Sequence, residues 1–316
     1  MVLKGKCSEW EDVLSGVPQG SILGPVLFII FINDIETGIL STLSKFADDC
    51  KMTRAVTCNK HAEELQTDLN TLCAWSDKWQ MVFHPDKCKV LHIGHNNSNK
   101  LYYINGTEIA NVQEEKDLGV IISKDLKPKK HIAKMVKKAN RQLGMISRAI
   151  TNKNKTNIMN LYKTLVRPIL DYGAAVWNPY QKEDIQKIER VQRRATRMIQ
   201  LIRKLPYEER LRRCNLMSLE SRRRRYDLIE AFKLMKSIYK VNKDKFFKLR
   251  ESQTRGHSLK IFKEHSRLNI RKYFFTQRVV NDWNKLPIEA INARNIEQFK
   301  KIIHNEFKPG GLYMIQ

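Results

Sequence analysis

The chain has 316 residues, with 58 Lys and Arg against 33 Asp and Glu, so its formal charge is +25. Hydrophobic residues make up 42% of it, which is enough for sizeable cores and excludes wholesale disorder. The longest apolar run, residues 22–32, is too short to span a bilayer, and residues 1–6 hold no apolar signal core, so neither a membrane protein nor a secreted one is expected.

The positive charge is concentrated in the last two thirds of the chain. Residues 1–100 carry 10 basic and 12 acidic side chains, whereas residues 101–316 carry 48 basic and 21 acidic ones. A polyanion is the natural partner for such a surface, and nucleic acid is the commonest polyanion. The six cysteines form no Cys-x-x-Cys pair, so we expect reduced thiols, mostly packed, rather than disulfides or a zinc site.

The first part of the chain mixes short strands with two helices. Pro25 suits the first turn of a helix, and Asn105-Gly106 is typical of a hairpin turn. In chain order, hydrophobic periodicity and turn residues predict a strand at 10–14, a turn at 15–20, a buried helix at 26–32, strands at 43–46 and 50–53, a helix at 61–79, and strands at 89–93, 102–104 and 118–122.

Beyond residue 125 the apolar spacing becomes helical. Ile132, Ala139, Leu143 and Ile146 mark the apolar stripe of the first amphipathic helix in this region. Further helices are predicted at 158–169, with a bend or an end at Pro168, and then at 185–202, 207–214, 219–241 and 288–307, with a polar loop at 250–270.

Asp48 and Asp49 are the sharpest chemical feature. Two adjacent carboxylates at a hairpin tip repel each other unless a cation or solvent offsets the repulsion. Phosphoryl-transfer enzymes use such carboxylates to hold two Mg²⁺ ions that stabilise the attacking and leaving oxygens. The alternative is an ordinary turn, because Asp-Asp is a frequent turn dipeptide.

The context of this dyad resembles that of reverse transcriptases, and more narrowly the jockey-type polymerases of non-LTR retrotransposons. Ser-Gly-Val-Pro-Gln-Gly-Ser-Ile-Leu-Gly-Pro at residues 15–25 precedes Phe-Ala-Asp-Asp at residues 46–49. The likeness continues at residues 83–88, 116–120, 161–163, 165–168 and 193–196, so it covers most of the chain. Several motifs in one order are far more specific than any single pattern.

The resemblance implies an α+β fold, namely a truncated polymerase palm of antiparallel sheet and helices followed by helical regions. Residues 1–125 would be the partial palm, residues 126–205 an all-helical thumb that clamps the template–primer duplex, and residues 206–316 a basic helical C-terminal region. The boundaries are approximate because element ends are the least certain part of such an interpretation.

The resemblance also implies roles for individual residues. Asp48 and Asp49 match the catalytic carboxylates that bind Mg²⁺ or Mn²⁺, with Asp48 as the expected direct ligand, and Lys87 matches the group that protonates the leaving pyrophosphate. The residues that match the segment binding nucleotide and template are Ser15, Pro18, Gln19 and Gly20, and those that match the primer grip are Leu118 and Gly119. Taken singly, Gln19 could be a helix cap, Lys87 a surface lysine, and Leu118-Gly119 a strand with a bulge.

Two departures from the family pattern limit the enzyme hypothesis. The family needs a further Asp upstream of Pro18, and the only Asp among the preceding 17 residues, Asp12, aligns with the strand entering the loop. His84 stands where the family usually has Asn. We therefore expect a truncated enzyme, inactive or nearly so by itself, whose missing N-terminal part would be one partner.

The basic residues form three groups on the predicted helices: Arg190, Arg193, Arg194 and Arg197; Arg222, Arg223, Arg224 and Arg225; and Lys127, Lys129, Lys130, Lys134, Lys137 and Lys138. We expect nucleic-acid contacts from the first group and from Lys134, Lys137 and Lys138. Binding would follow duplex shape and backbone, and it would weaken steeply with salt. For any single residue the alternative is a solvated helix face.

The first functional hypothesis is thus an RNA-directed DNA polymerase domain. Its partners would be an RNA template, an RNA–DNA hybrid or DNA primer and, if active, deoxynucleotides, in a ribonucleoprotein of the nucleus or cytoplasm. The second hypothesis is a non-catalytic RNA- or DNA-binding remnant, or a protein retained by the host. The third is a fragment of a decayed element that never folds stably, because a sheet edge lacking its neighbour favours aggregation.

Overall fold

The computed structural model describes residues 2–3, 6–7, 16, 20–94, 97–250 and 257–307. The strand predicted at residues 10–14 lies outside these ranges. The contacts divide the chain into two units, residues 1–113 and residues 114–316. Across the described ranges, no helix is both long and apolar enough to cross a membrane. Helices and small sheets occur together, as expected for the α+β class.

The described residues of unit 1 form two α-helices and eight short strands. In chain order they are β1 (Val2–Leu3), β2 (Lys6–Cys7), α1 (Leu23–Phe31), β3 (Thr42–Phe46), β4 (Asp49–Thr53), α2 (Asn59–Lys78), β5 (Lys89–Val90), β6 (Tyr103–Ile104), β7 (Thr107–Glu108) and β8 (Ala110–Asn111). All strand pairs are antiparallel hairpins except β5 and β8, which run parallel. The predicted hairpin turn at Asn105-Gly106 is confirmed, with φ of 47° and 74° as such two-residue turns require.

Helix α2 organises the core of unit 1. Ala62 and Cys73 pack with Tyr102, Ile104 and Ile109 of the strand region on one side. Elsewhere along the helix, Leu72 packs with Ile32 and Ile35, which follow α1. The helix therefore holds together the loop after α1 and the strands between residues 89 and 111.

The expectation that residues 26–32 are buried is wrong. The helix forms, but Val26, Leu27, Ile29 and Ile30 are between 47% and 67% exposed. Among the described residues only one side of this helix is covered, where Phe31 contacts the rings of Trp75 and Trp79 in α2. An apolar helix therefore leaves a solvent-facing side, because no other described element of unit 1 packs over it.

Unit 2 is a hairpin followed by helices. In chain order these are β9 (Glu114–Asp117), β10 (Val120–Ser123), α3 (Lys129–Ala149), α4 (Lys155–Leu161), α5 (Arg167–Asp171), α6 (Ala174–Trp177), α7 (Lys182–Arg197), α8 (Tyr207–Cys214), α9 (Leu219–Met235), α10 (Asn269–Lys272), α11 (Phe275–Arg278), α12 (Val280–Asn284), α13 (Ile288–Ile291) and α14 (Ile296–Glu306). A π-helical segment, Tyr162–Val166, joins α4 to α5.

Two hydrophobic cores stabilise unit 2. In the first, the predicted stripe of α3 packs against α5, α7 and the π-helical segment, and Ile132, Leu143, Tyr162 and Ile188 are at most 1% exposed. In the second, α9 packs against α12 and α14. Trp283 is fully buried there. Each buried aromatic or aliphatic side chain of this kind contributes about 1.5–3 kcal/mol through loss of apolar contact with water.

Several predicted elements of unit 2 need correction. Residues 118–119 are not the start of a strand but the turn between β9 and β10. The helix at 158–169 contains the π-helical segment before Pro168, and the helix at 219–241 ends at Met235. The helix at 288–307 is two helices, because Asn295 caps a new one by accepting from the backbone N–H of Gln298 at 2.8 Å.

The expectation that the cysteines are mostly packed is wrong. Cys73 and Cys214 are buried and Cys88 is half-buried, whereas Cys7, Cys50 and Cys58 are exposed. Half of the set therefore lies at the surface, because these three sit in short strands or at a helix start rather than on apolar stripes.

Candidate metal-binding hairpin and nucleic-acid interface

The acidic dyad lies at the tip of the β3–β4 hairpin. Phe46 pairs with Asp49 across the hairpin, so Ala47 and Asp48 form its two-residue turn. Ala47 has φ of +50°, in the left-handed region that residues with a side chain seldom occupy. Both carboxylates are exposed, and neither has a hydrogen-bond or ion-pair partner within the part of the chain that the structure describes.

The dyad creates a negative potential at the tip. Partial desolvation, together with the charges of Asp49 and Asp48, raises the pKa of the neighbouring Cys50 thiol, although Lys45 opposes the shift. Lys45 is itself held away from the dyad: its Nζ donates to the Asn33 carbonyl at 3.0 Å and lies 3.5 Å from Glu36. The dyad thus keeps its negative charge available to a cation.

A buried carboxylate fixes the entrance of the hairpin. Asp68, on α2, accepts the backbone N–H of Leu40 at 2.9 Å and that of Ser41 at 2.8 Å. Burial alone would raise the pKa of Asp68, but the hydrogen bonds from Ser41 and Leu40 and the charge of Arg54 outweigh it and lower the pKa. Sequence reasoning missed this residue, although an Asp on the apolar stripe of an amphipathic helix is the signal that could have revealed it.

The dyad fits a divalent cation in its chemistry but supplies only part of a site. Carboxylate oxygens are the donors that Mg²⁺ prefers, usually as one or two carboxylates together with substrate phosphates. Across the described ranges, no group of three or more His, Cys, Asp or Glu side chains is placed to hold a metal ion. Asp48 and Asp49 can therefore provide two ligands, and the remaining ligands would come from elsewhere.

The other residues predicted for nucleotide and template binding are only partly visible. Ser15, Pro18 and Gln19 lie outside the described residues. Gly20 is exposed, and nothing lies within 4 Å of the position that a Cβ would take. Its φ of +89° is one that glycine adopts without strain, so backbone conformation rather than close packing accounts for a glycine at this position. Lys87 ends a short 3₁₀ turn (Pro85–Lys87) and is exposed at the surface of unit 1.

Leu118 and Gly119 form a supported turn. Both have positive φ, 43° and 85°, which matches the twist of a two-residue hairpin connection. The hydroxyl of Tyr172, after α5, donates to the Leu118 carbonyl at 2.8 Å. A Cβ on Gly119 would lie 3.1 Å from the Tyr172 ring, so the close approach of the ring requires glycine.

Helices α3 and α7 pack together and place their basic residues side by side. Arg194 of α7 donates to the side chain of Asn140 of α3 at 3.1 Å. The residues of the basic face are exposed: they are Lys137, Lys138, Arg190, Arg193, Arg194 and Arg197. In the described part of unit 2, none of these six forms an ion pair with a carboxylate.

Lys134 differs from its neighbours. Its Nζ lies 3.0 Å from Glu114, and Lys130 lies 2.8 Å from the same carboxylate. Hydrogen bonds from Lys130 and Lys134 lower the pKa of the Glu114 carboxyl. Because both lysines remain solvent-exposed and Glu114 is partly exposed, the pairing reduces the charge that Lys134 offers a polyanion without removing Lys134 from the surface.

The four consecutive arginines of α9 are not a free basic group. Arg222 donates to Asp171, Arg224 to Asp282, and Arg225 to the Lys300 carbonyl. Arg223 is 1% exposed and donates to Asn178 at 2.9 Å. These arginines hold unit 2 together, because α9 packs against α6, α7, α12 and α14 and offers them internal partners.

Comparison with curated proteins finds relatives among transposon polymerases of Drosophila. The chain is 27% identical over 208 residues to the RNA-directed DNA polymerase from mobile element jockey of Drosophila melanogaster, covering 62% of this chain and 23% of the relative. It is 29% identical over 205 residues to the jockey polymerase of Drosophila funebris, covering 61% and 22%. Against the probable RNA-directed DNA polymerase from transposon X-element of Drosophila melanogaster it is 24% identical over 199 residues, covering 60% and 22%.

The chain spans less than a quarter of the length of these relatives. No solved structure matches it at a significant level. The family model described as reverse transcriptase (RNA-dependent DNA polymerase) matches residues 3–186, more than half of the chain, which include the acidic dyad, the Leu118-Gly119 turn and α3. The predicted resemblance is thereby confirmed, and the chain belongs to the reverse transcriptase family of RNA-dependent DNA polymerases.

Proposed function

We propose that this polypeptide binds template–primer as part of the RNA-directed DNA polymerase of a non-LTR retrotransposon. Residues 1–125 would serve as a partial palm, residues 126–205 as the thumb, and residues 206–316 as a basic C-terminal region. The observation that carries the proposal is the basic face of α3 and α7, which has no acidic partner among the described residues of unit 2. It would act within an intracellular ribonucleoprotein.

The binding mode follows from the chemistry of this face. Arginine guanidinium groups match phosphate oxygens geometrically and stay charged at any physiological pH. An RNA-containing duplex hides its base edges in a deep major groove, so a helix surface meets mainly phosphates and sugars. The face would therefore recognise duplex shape and charge rather than sequence.

The catalytic roles belong to unit 1 in this proposal. Asp48 and Asp49 would hold Mg²⁺ or Mn²⁺, which supplies charge stabilisation when a primer 3′-hydroxyl attacks the α-phosphate of a deoxynucleotide. Lys87 would protonate the departing pyrophosphate, and Ser15, Pro18, Gln19 and Gly20 would contact the incoming nucleotide and template. The exposed, unpaired state of the dyad supports the metal role.

The binding proposal is tested by fluorescence anisotropy with a labelled RNA–DNA hybrid and the whole chain. Changing Arg193, Arg194 and Arg197 together to Ala should lower the slope of log affinity against log salt by about two to three, because each lost phosphate contact removes nearly one unit. The Asp48→Ala variant should bind as the unaltered chain does.

A matched control removes three exposed cations from the C-terminal helices of unit 2 by changing Lys285, Arg294 and Lys301 to Ala. This control should change the salt slope much less than the α7 triple variant. Equal slopes for both triple variants would show that net charge alone drives binding, and the thumb assignment would then fail.

For catalysis we predict little or no DNA synthesis by these 316 residues alone, since no third metal-binding side chain joins the dyad among the residues that the structure describes. Primer extension on an RNA template with Mg²⁺ or Mn²⁺ tests this. Robust synthesis that Asp48→Ala abolishes would refute the expectation of inactivity. Salt-sensitive hybrid binding without synthesis would instead favour the second candidate function, a non-catalytic nucleic-acid-binding protein.

A further inference from the structure

An open pocket of about 350 Å³ lies in unit 2, and none of the exposed arginines of α7 lines it. Its lining residues are Lys163, Arg167, Pro168, Asp171, Tyr172, Arg222 and Tyr226. Three of them are cationic and one is a carboxylate. Lys163 and Arg167 belong neither to the basic face of α3 and α7 nor to the arginines of α9.

Local backbone irregularity builds this pocket. The π-helical segment Tyr162–Val166 carries Lys163 and leads directly into Arg167, and Pro168 then occupies the first turn of α5. Single-turn π segments inside helices occur frequently at functional sites, where the extra residue shifts side chains away from the regular helical positions. Here the segment and the first turn of α5 direct two cations towards one opening.

The pocket has an excess of positive charge. Both oxygens of Asp171 accept from Nε of Arg222, at 3.0 and 2.8 Å. Arg167 reaches the same carboxylate only at 3.9 Å, and Lys163 forms no ion pair with any described residue. Burial, reinforced by the charge of Arg222, lowers the pKa of Arg167, which shows that the two guanidinium groups repel each other. A bound anion would relieve this repulsion.

Hydroxyl groups complete the polar lining. The Tyr226 oxygen accepts from Arg222 at 2.9 Å, so its own proton is left to donate. The Tyr172 hydroxyl is engaged with the Leu118 carbonyl, so the same ring that lines the pocket also holds the Leu118-Gly119 turn. Pocket and turn are therefore adjacent parts of one surface.

We propose that this pocket binds one backbone phosphate of the nucleic-acid strand that runs past the Leu118-Gly119 turn, held by Arg167 and Lys163. The proposal rests on the proposed nucleic-acid-binding function and adds a second contact area to the basic face. A phosphodiester suits the pocket because planar guanidinium donors pair bidentately with phosphate oxygens. Free phosphate or pyrophosphate shares this chemistry, and the experiment separates these sources from the strand.

The test compares Arg167→Gln with Arg294→Gln, which removes an exposed arginine elsewhere in unit 2, in salt titrations of RNA–DNA hybrid binding by the whole chain. Arg167→Gln should lower the salt slope by about one, because one phosphate contact is lost. Arg294→Gln should leave the slope unchanged, and Arg167→Lys should restore part of it. Lys163→Gln is a second, independent variant. It breaks no ion pair of the fold, because the Lys163 side chain forms none with described residues.

The possible outcomes are distinguishable. If Arg167→Gln and Lys163→Gln both keep the full slope while the α7 triple variant loses it, the pocket proposal fails and the proposed function stands. If the unaltered chain binds no hybrid at any salt concentration, both fail. If the slopes are unchanged but pyrophosphate at matched ionic strength raises the melting temperature of the unaltered chain and not that of Arg167→Gln, the pocket serves a free anion and the strand assignment is overturned.

Discussion

At the scale of single residues, Gly119 shows most directly how the sequence determines a local structure. Its φ of +85° lies in the left-handed region, and the Tyr172 ring approaches to 3.1 Å of the position a Cβ would occupy. Gly144, in the middle of α3, has ordinary helical geometry, and its nearest such contact is the flexible end of Arg148 at 3.8 Å. We therefore expect the two glycines to respond to the same substitution in opposite directions.

We predict that Gly119→Ala destabilises the chain by about 1–2 kcal/mol, because alanine disfavours the left-handed region and meets the Tyr172 ring. Gly144→Ala should stabilise it by about 0.5–1 kcal/mol, since alanine is the better helix former. Thermal unfolding followed by circular dichroism measures both changes. A Gly119→Ala protein at least as stable as the unaltered chain would contradict the described turn.

At the scale of elements, the β3–β4 hairpin depends on Asp68 of the neighbouring helix. Because the folded-state pKa of Asp68 is lowered below its ordinary value of 3.8, its stabilising effect is fully present above that value. The effect declines as the pH falls through the lower, folded-state pKa. The start of the strand that leads to the dyad should therefore loosen under acidic conditions.

We predict that Asp68→Asn increases hydrogen exchange at Leu40 and Ser41 by about five- to a hundredfold, which corresponds to about 1–3 kcal/mol for a buried hydrogen-bonded group. An Asn side chain has one acceptor oxygen for two donors, so one N–H loses its partner. Exchange measured by mass spectrometry on the whole chain reports this. Asp77→Asn, at the exposed end of α2, is the control and should leave the two amides unchanged.

Regular elements were predictable where a single periodic pattern decided them. Helix α8 spans the predicted residues 207–214, and the apolar stripe of α3 is buried as expected. Burial of residues 26–32 was not predictable, because an apolar composition does not reveal whether another element covers the helix. The π-helical segment Tyr162–Val166 left no recognisable signal beyond Pro168, which indicated only a bend.

At the scale of the whole molecule, a net charge of +25 does not say which arginines are free. Helix α7 has one solvent-facing side, whereas α9 is surrounded by other helices. The sequence predicted both sets as basic groups, since each shows only a cluster of arginines. Only the arrangement of helices separates the arginines that hold the fold from those available to a ligand.

The Asp227–Arg278 pair illustrates the structural role of buried charge in unit 2. Asp227, on α9, is 4% exposed and accepts from Arg278 at 2.7 and 2.8 Å, and Arg278 also donates to the Ala175 carbonyl. We predict that Arg278→Gln destabilises the chain by about 3–5 kcal/mol, because it leaves a buried carboxylate without its cation. The double variant Arg278→Gln with Asp227→Asn should lose less stability than Arg278→Gln alone, because it leaves no buried charge without a partner.

The stability lost in the Arg278→Gln variant should depend on pH in one direction. Burial raises the pKa of Asp227 even with Arg278 present, and removing the cation raises it further. A carboxyl group whose pKa is higher in the folded state than in the unfolded state favours folding at low pH. This contribution to stability is lost as the pH rises through the folded-state pKa. The stability difference between Arg278→Gln and the unaltered chain should therefore narrow on acidification, as denaturant titrations at several pH values would reveal. A difference that widens would contradict the buried pair.

The central claim is that the exposed arginines of α7 bind nucleic acid while those of α9 hold unit 2 together. Arginine-selective modification with phenylglyoxal, mapped by mass spectrometry with and without a saturating RNA–DNA hybrid, tests it most directly. We predict rapid modification of Arg190, Arg193, Arg194 and Arg197 in the free chain, strong protection of them by the hybrid, and slow modification of Arg223 in both states. Arginines of α7 that stay equally reactive in the saturated complex would contradict the claim.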